Sequence, residues 1–322
     1  MNLSSEIFNR LITPGPRLPW FSEWLLNDVW SKEAYSKKSP SDYLKDGEAK
    51  VNELEQIISS ASSGIYDEIV SDSRKNKLDD SLNSPDKAVV IFDGLSLREI
   101  PILLSLCEKS KIKAVEVSTA ISAIPSDTID FIELALKIGR ISPSQLPSRK
   151  ELKDRNVRAY YYDSPAQKYK IEEEQKALFL WSSFPDQTYN DSGARFIQHF
   201  ENNRILLEEA WKNTVQQIPA GRKVLITSDH GYIFFGAGCA FTRSQEDVRP
   251  LNQFFGGERF AVLEGNEIPL QHPDVYYLPE RKACLIKGRV QTHPPGQSGA
   301  KLYKHGGLSL MECIVPWIML EK

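Results

Sequence analysis

Paired cysteines are missing from this 322-residue chain. The four it has, Cys107, Cys239, Cys284 and Cys313, are scattered. No two stand at the short spacing of a zinc knuckle, and no disulfide framework is suggested, so they read as reduced and structural. Long apolar runs are also absent. No window approaches the ~18 apolar residues of a membrane span, and the opening MNLSSEIFNRL has no basic region followed by an apolar stretch. A cytoplasmic location without membrane contact is the expectation. Charge of one sign is not in excess either, since the formal net charge is −3, and any attraction to nucleic acid would need a local basic patch. There is no Cys/His finger, no basic heptad helix and no internal repeat. A glycine-rich phosphate loop is missing after the first strand-like run, where DGLSLREI stands instead, which argues against a Rossmann-type or flavodoxin-like nucleotide binder.

What is present begins with 41% apolar residues, enough for a large core. Residues 1–86 have helical spacing, interrupted by Pro14, Pro16 and Pro19, with Trp20, Trp24 and Trp30 close together. Trp20 and Trp24 share a helix face and read as a core anchor. Lys45 to Leu78 reads as a charged amphipathic helix pair, and the turn-rich stretch Ser73 to Lys87 as an exposed connector. A boundary near Asp86 would separate an N-terminal helical segment from a main domain of residues 87–322. From Lys87 the pattern changes to strand-length apolar runs, AVVIF, AVEVS, VRAYYY, ALFLWS and VLITS, alternating with helical stretches such as TIDFIELALKIG. That alternation predicts an α/β fold: a mostly parallel sheet flanked by helices.

The chemically informative residues stand where these runs end, the place where an open α/β sheet builds its crevice. VVIFDG delivers Asp93. VLITSDHG delivers Asp229 and His230, with Gly231 expected to supply the bend that lets both reach one ion. KHGGLS delivers His305 before two glycines, which would let the backbone pass close to a ligand shell. Each motif alone also fits an ordinary turn.

In this order and at these distances, the Asp-Gly, Ser-Asp-His-Gly and His-Gly-Gly-Leu-Ser phrases resemble PglZ domains of the alkaline phosphatase superfamily, over roughly Lys87 to the C-terminus. The resemblance implies a Ser or Thr nucleophile about 35 residues after the first Asp, in a Pro-Thr-x-Thr or Pro-Ser-x-Thr phrase. Pro125-Ser126-Asp127-Thr128 fits, with Thr128 standing 35 residues after Asp93. Ser126 is the lesser alternative and, read locally, an N-cap or turn residue opening the next helix. The superfamily's Pro-Asp-x-x-Gly-His phrase has its counterpart in FPDQTYNDSG. Asp186 takes the Asp position, but Asn190 stands where the pattern has His, and Asp191 next to it offers a carboxylate instead. His199, on a helical stretch, is not expected to substitute.

The resemblance therefore implies one divalent ion held by Asp93, Thr128, Asp229 and His230, and a second held by Asp186, His305 and either Asn190 or Asp191. Zn²⁺ or Mn²⁺ suits oxygen-rich ligands with two histidines, and Mg²⁺ remains compatible. One or two ions are consistent with the residues. Independently of family, Arg281 to Met311 contains no Asp or Glu. Lys287, Arg289, Lys301 and Lys304 in that stretch are candidates for binding an anionic substrate, with Arg281 and Lys282 adding to the local field.

The function expected is a metal-dependent phosphohydrolase, such as a phosphodiesterase or nuclease-like enzyme, acting on nucleic acid or a nucleotide. By resemblance it would serve in a bacterial anti-phage system of the BREX or Pgl type, with protein partners. The alternative is a catalytically decayed PglZ module that scaffolds such a complex, which the Asn190 departure favours.

Overall fold

β-branched and aromatic side chains dominate the strand-length runs, and the computed structural model places them in one twisted sheet. It describes residues 5–61, 64–75, 78–172, 175–189, 196–236, 239, 241, 243–293 and 302–322. In chain order the strands are β1 (Lys87–Phe92), β2 (Lys113–Ile121), β3 (Val157–Tyr162), β4 (Ala177–Ser182), β5 (Lys223–Thr227), β6 (Ile233–Phe234), β7 (Phe260–Val262), β8 (Val275–Leu278), β9 (Ala283–Ile286), β10 (Tyr303–Lys304) and β11 (Ile314–Glu321). The main sheet has the order β2-β11-β5-β1-β4-β3. Its strands are parallel except β11, which runs antiparallel to both of its neighbours. The α/β architecture with a mostly parallel sheet is therefore the one expected.

Both faces of the sheet are covered, which is why its central strands are continuous apolar runs rather than alternating ones. On one face Ala88, Val90, Phe92, Leu178, Leu180, Val224 and Ile226 pack with residues from the helices Ile100–Ser110 and Phe196–Asn213. On the other, Val89, Ile91, Phe179, Trp181 and Leu225 pack with Phe131 and Ile132 of the helix Thr128–Ala135. Helices Pro40–Ala61 and Gly64–Ser73 correspond to the expected amphipathic pair.

The chain passes from helices to sheet near Asp86, yet side chains from both sides of that point share one core. Trp30 is fully buried against Tyr43, and Trp20 and Trp24 are partly buried against the same cluster. Charge reinforces this joint. Glu48 of the Pro40–Ala61 helix accepts hydrogen bonds from Arg98 (2.6 Å) and Arg289 (2.7 Å), and Glu55 one turn pair further accepts from Arg289 (2.8 Å). All four groups are buried. Two carboxylates and two guanidiniums compensate one another there, which is what makes burial of the charges tolerable.

The small three-stranded antiparallel sheet β7-β9-β8 and the pair β10-β6 were not anticipated, nor was β11 as a strand. Their runs are short, or lie inside a long apolar segment whose period does not separate helix from strand. Among the described residues, no helix is long and apolar enough to cross a membrane. None of the four cysteines is in a disulfide.

Candidate metal centre

Three adjacent strands, β5, β1 and β4, release their chains at the same edge of the sheet, and each release carries site residues. Asp93 leaves β1 with its backbone N–H donating to Ser182 O (2.9 Å), and Asp186 N–H donates in turn to Asp93 O (2.9 Å). The parallel pairing of β1 with β4 thus continues into the loops and draws Asp186 beside Asp93. Ser228, at the end of β5, accepts from Leu95 N–H (2.9 Å) and lies 2.7 Å from Phe92 O, stapling the two strand ends. Asp229 follows, with Oδ1 accepting from Gly94 N–H (3.1 Å). Thr128 arrives from the loop after β2. His305 comes before β11, and because that strand runs antiparallel, its beginning lies at the same edge: Ile314 pairs with Ile121, the last residue of β2.

The side chains converge. Thr128 Oγ1 donates to Asp229 Oδ2 at 2.6 Å and lies 3.5 Å from Asp93 Oδ1 and 3.3 Å from His230 Nε2. His230 Nε2 is 3.7 Å from Asp93 Oδ1 and 3.5 Å from Asp229 Oδ2. A second group adjoins the first, since the imidazoles of His230 and His305 stack with centroids 3.9 Å apart and His305 Nε2 lies 3.8 Å from Asp186 Oδ1. Ligand atoms of Asp93, Asp229 and His230 all lie within 4.8 Å of one another, and so do those of Asp186, His230 and His305. Asp229 and His230 are wholly buried, whereas Asp186 and His305 are each 29% exposed and form the open side.

Both histidines are oriented for ligation. Nδ1 of His230 faces Gly231 O at 3.0 Å, and Nδ1 of His305 faces Ser126 O at 3.1 Å. A carbonyl only accepts, so each Nδ1 is placed to donate and each Nε2 is the nitrogen that faces the carboxylates.

The donor set also fits a divalent cation electrostatically. Among the described residues, no Lys or Arg pairs with Asp93 or Asp229, although both are buried. Burial first, then the neighbouring Asp229 and Asp186 carboxylates, hold the Asp93 carboxyl well above the usual range, and the hydrogen bond from Trp181 Nε1 (3.1 Å) only partly offsets this. For His230, burial favours the neutral ring. Asp229 and Asp186, aided by the bond to Gly231, outweigh that and raise its pKa. An unbalanced negative potential at a dry, carboxylate- and imidazole-lined point is what a hard or borderline cation neutralises.

The remaining expectations fare unevenly. Gly231 has no left-handed φ. Its need is for closeness, because a Cβ there would stand 2.2 Å from Met311 O. The glycines after His305 likewise make room for protein rather than for a ligand shell: a Cβ at Gly306 would meet the Phe260 ring at 2.7 Å, and one at Gly307 would meet Arg259 and Ile286 O. The N-cap of the Thr128 helix is Asp127, which accepts from Ile129 N–H (3.0 Å), not Ser126. His199 is buried against Thr188, with Nε2 2.9 Å from its Oγ1. Asn190, Asp191 and Lys301 lie outside the described residues.

Arg289 is a correction. It has no exposed surface, and its guanidinium is committed to Glu48 and Glu55, so it cannot meet substrate. Lys287 lies over the Tyr66 ring, 5.6 Å from its centroid, with burial pushing its pKa down. Lys304 does line a cleft of about 60 Å³ beside Asp186 and His305, but its Nζ is paired with Glu258 at 3.0 Å. Arg281 is likewise held by Asp130 and Glu133. Arg281, Arg289 and Lys304 are thus spent on internal partners, Asp and Glu residues distant in sequence.

Sequence reasoning missed Trp181 and Asp127. Only the pairing of β1 with β4, Ile91 opposite Trp181, places that indole near Asp93. Asp127, adjacent to Thr128, contributes negative charge felt by both Asp93 and His230.

No protein-family model matches the chain, and no curated protein does. Among solved structures, it is similar to murine ectonucleotide pyrophosphatase/phosphodiesterase 5 in an inactive form with AMP, at 13% identity and a TM-score of 0.39, over 72% of this chain and 87% of that one. The human ectonucleotide pyrophosphatase/phosphodiesterase 5 gives 13% identity and a TM-score of 0.42 over the same shares, 72% and 87%. Phosphonoacetate hydrolase from Sinorhizobium meliloti 1021, in complex with phosphonoacetate, gives 12% and 0.37 over 74% of this chain and 90% of that one.

Proposed function

We propose that this chain is a divalent-metal-dependent phosphoric-ester hydrolase of the PglZ type, acting on a phosphodiester such as nucleic acid or a nucleotide, with Thr128 as the attacking or ion-activated hydroxyl. One observation carries the reading: Thr128 Oγ1 lies within 3.5 Å of Asp93, Asp229 and His230, with the Asp186 and His305 pair adjoining. A partly buried threonine hydroxyl thus stands among two carboxylates and an imidazole at a helix start.

Asp93, Asp229, His230 and Thr128 would hold one ion, and Asp186 and His305 would contribute to another. When bound, such ions lower the pKa of a hydroxyl or water and neutralise charge on a phosphoryl group. The chain's own contribution is to bring Thr128 to the site, to give its proton an acceptor at Asp229 Oδ2, and to hold each imidazole through its Nδ1 so that Nε2 faces the ion position. The N-terminal N–H groups of the Thr128–Ala135 helix favour an anion at the same place. Membership of an anti-phage complex in the cytoplasm, with protein partners, rests on the motif resemblance.

The test is ion content and turnover together. Purified protein treated with chelator is expected to lose hydrolysis of bis(p-nitrophenyl) phosphate and to regain it with Zn²⁺ or Mn²⁺. Saturating ion, at ~100 times Kd, is expected to add about 2.7 kcal/mol to stability, seen as a higher melting temperature. Ion uptake without turnover on any phosphodiester or monoester would favour the scaffolding module instead.

A further inference from the structure

We infer that Ser126 is a positioning residue that ties the loop carrying His305 to the turn carrying Thr128, and so fixes where the Asp186–His305 half of the centre stands relative to the nucleophile. The inference rests on the metal-centre reading above.

Three contacts carry it. Ser126 Oγ accepts from Gly306 N–H at 3.0 Å and donates to Gly307 O at 3.0 Å. Its carbonyl accepts from His305 Nδ1 at 3.1 Å. One buried residue, with no exposed surface, thus holds the backbone on one side of His305 and the ring itself. Because Thr128 is only two residues on, the distance between hydroxyl and imidazole is set through Ser126.

The far side of the loop is fastened separately. Glu312 Oε1 accepts from Gly307 N–H (2.9 Å) and Oε2 from Ser309 N–H (3.1 Å), with Arg259 paired to the same carboxylate. The loop therefore stays attached when the Ser126 hydroxyl is lost, but its near side is released. Gly306 N–H then loses its partner in a buried setting, Gly307 O keeps only the weak bond from Cys313 Sγ (3.4 Å), and the segment bearing His305 shifts to find others. The same contacts exclude Ser126 as the nucleophile. Its proton and a lone pair are both committed, and substrate has no approach to an atom without exposed surface.

Groups that orient a ligand typically change metal affinity by about 10–100-fold when removed. The test uses the full chain stripped of metal and titrated with Co²⁺, followed by calorimetry and by the visible absorption of the bound ion. Wild type, His305→Ala, Ser126→Ala and Ser126→Thr are compared, each with its thermal unfolding curve. Ser126→Ala is expected to weaken by about 10–100-fold the class of binding that His305→Ala abolishes, leaving the other class and the melting temperature close to wild type. Ser126→Thr, which keeps the hydroxyl, is expected to restore it.

A Ser126→Ala isotherm superimposable on wild type overturns the inference and leaves the metal centre standing. Loss of both classes together with stability, unrepaired by threonine, also overturns it. Should the alanine variant fail to fold, the threonine variant decides: a native melting curve with His305-class binding retained supports the role, and the same curve with that binding lost refutes it. Wild-type protein that takes up no cobalt overturns both this inference and the reading it rests on.

Discussion

Thr128→Ala is expected to slow phosphodiester hydrolysis by about 10³-fold or more while ion uptake remains near wild type. The separation follows from the geometry. Asp93, Asp229 and His230 retain their ligand atoms within 4.8 Å of one another without Thr128, so the cation site survives, but the hydroxyl that donates to Asp229 Oδ2 from the helix start is gone. Thr128→Ser keeps the oxygen and is expected to recover much of the rate. Steady-state kinetics beside metal analysis of each variant checks this. An alanine variant with nearly full turnover would transfer the attack to a water molecule and remove Thr128 from the chemistry.

Arg289→Ala is expected to lower stability by about 3–5 kcal/mol, because it leaves Glu48 and Glu55 facing one guanidinium fewer in a dry interior. Glu55 already has its pKa raised by burial, with Arg289 the leading opposing influence. Removing Arg289 strips that compensation, and the carboxyl must take a proton or draw in water. Urea unfolding measures the loss. Were Arg289 instead a substrate-binding group, the variant would melt normally and show a raised KM, so the two roles separate cleanly. The outcome bears on the N-terminal helices as well, since this cluster is where the Pro40–Ala61 helix locks onto the Arg289 segment.

The two residues illustrate what can be read from sequence and what cannot. Asp93 and Asp229 could be picked out because strand-length apolar runs announce where the chain leaves the sheet, whereas Thr128 was found only through the motif resemblance, 35 residues after Asp93. Arg289 could not be judged. A basic residue in a stretch free of Asp and Glu looks unpaired along the chain, while its partners lie 234 and 241 residues away. Lys304 misled for the same reason, its counter-charge being Glu258. The glycines were placed at sensitive points, but what they accommodate, Met311 O for Gly231 and the Phe260 ring for Gly306, is a matter of which segments become neighbours.

The amino-acid order by itself determined the alternation of strands and helices, the strand ends bearing Asp93, Asp186 and Asp229, and the helix beginning at Thr128, because periodicity and turn chemistry are local. Only the tertiary structure decided that β11 enters antiparallel and brings His305 to that edge, that Trp181 holds Asp93, that Ser126 faces inward, and that Arg281, Arg289 and Lys304 are neutralised. Those outcomes depend on strand order and on long-range charge pairing, and neither leaves a mark in the spacing of residues along one chain.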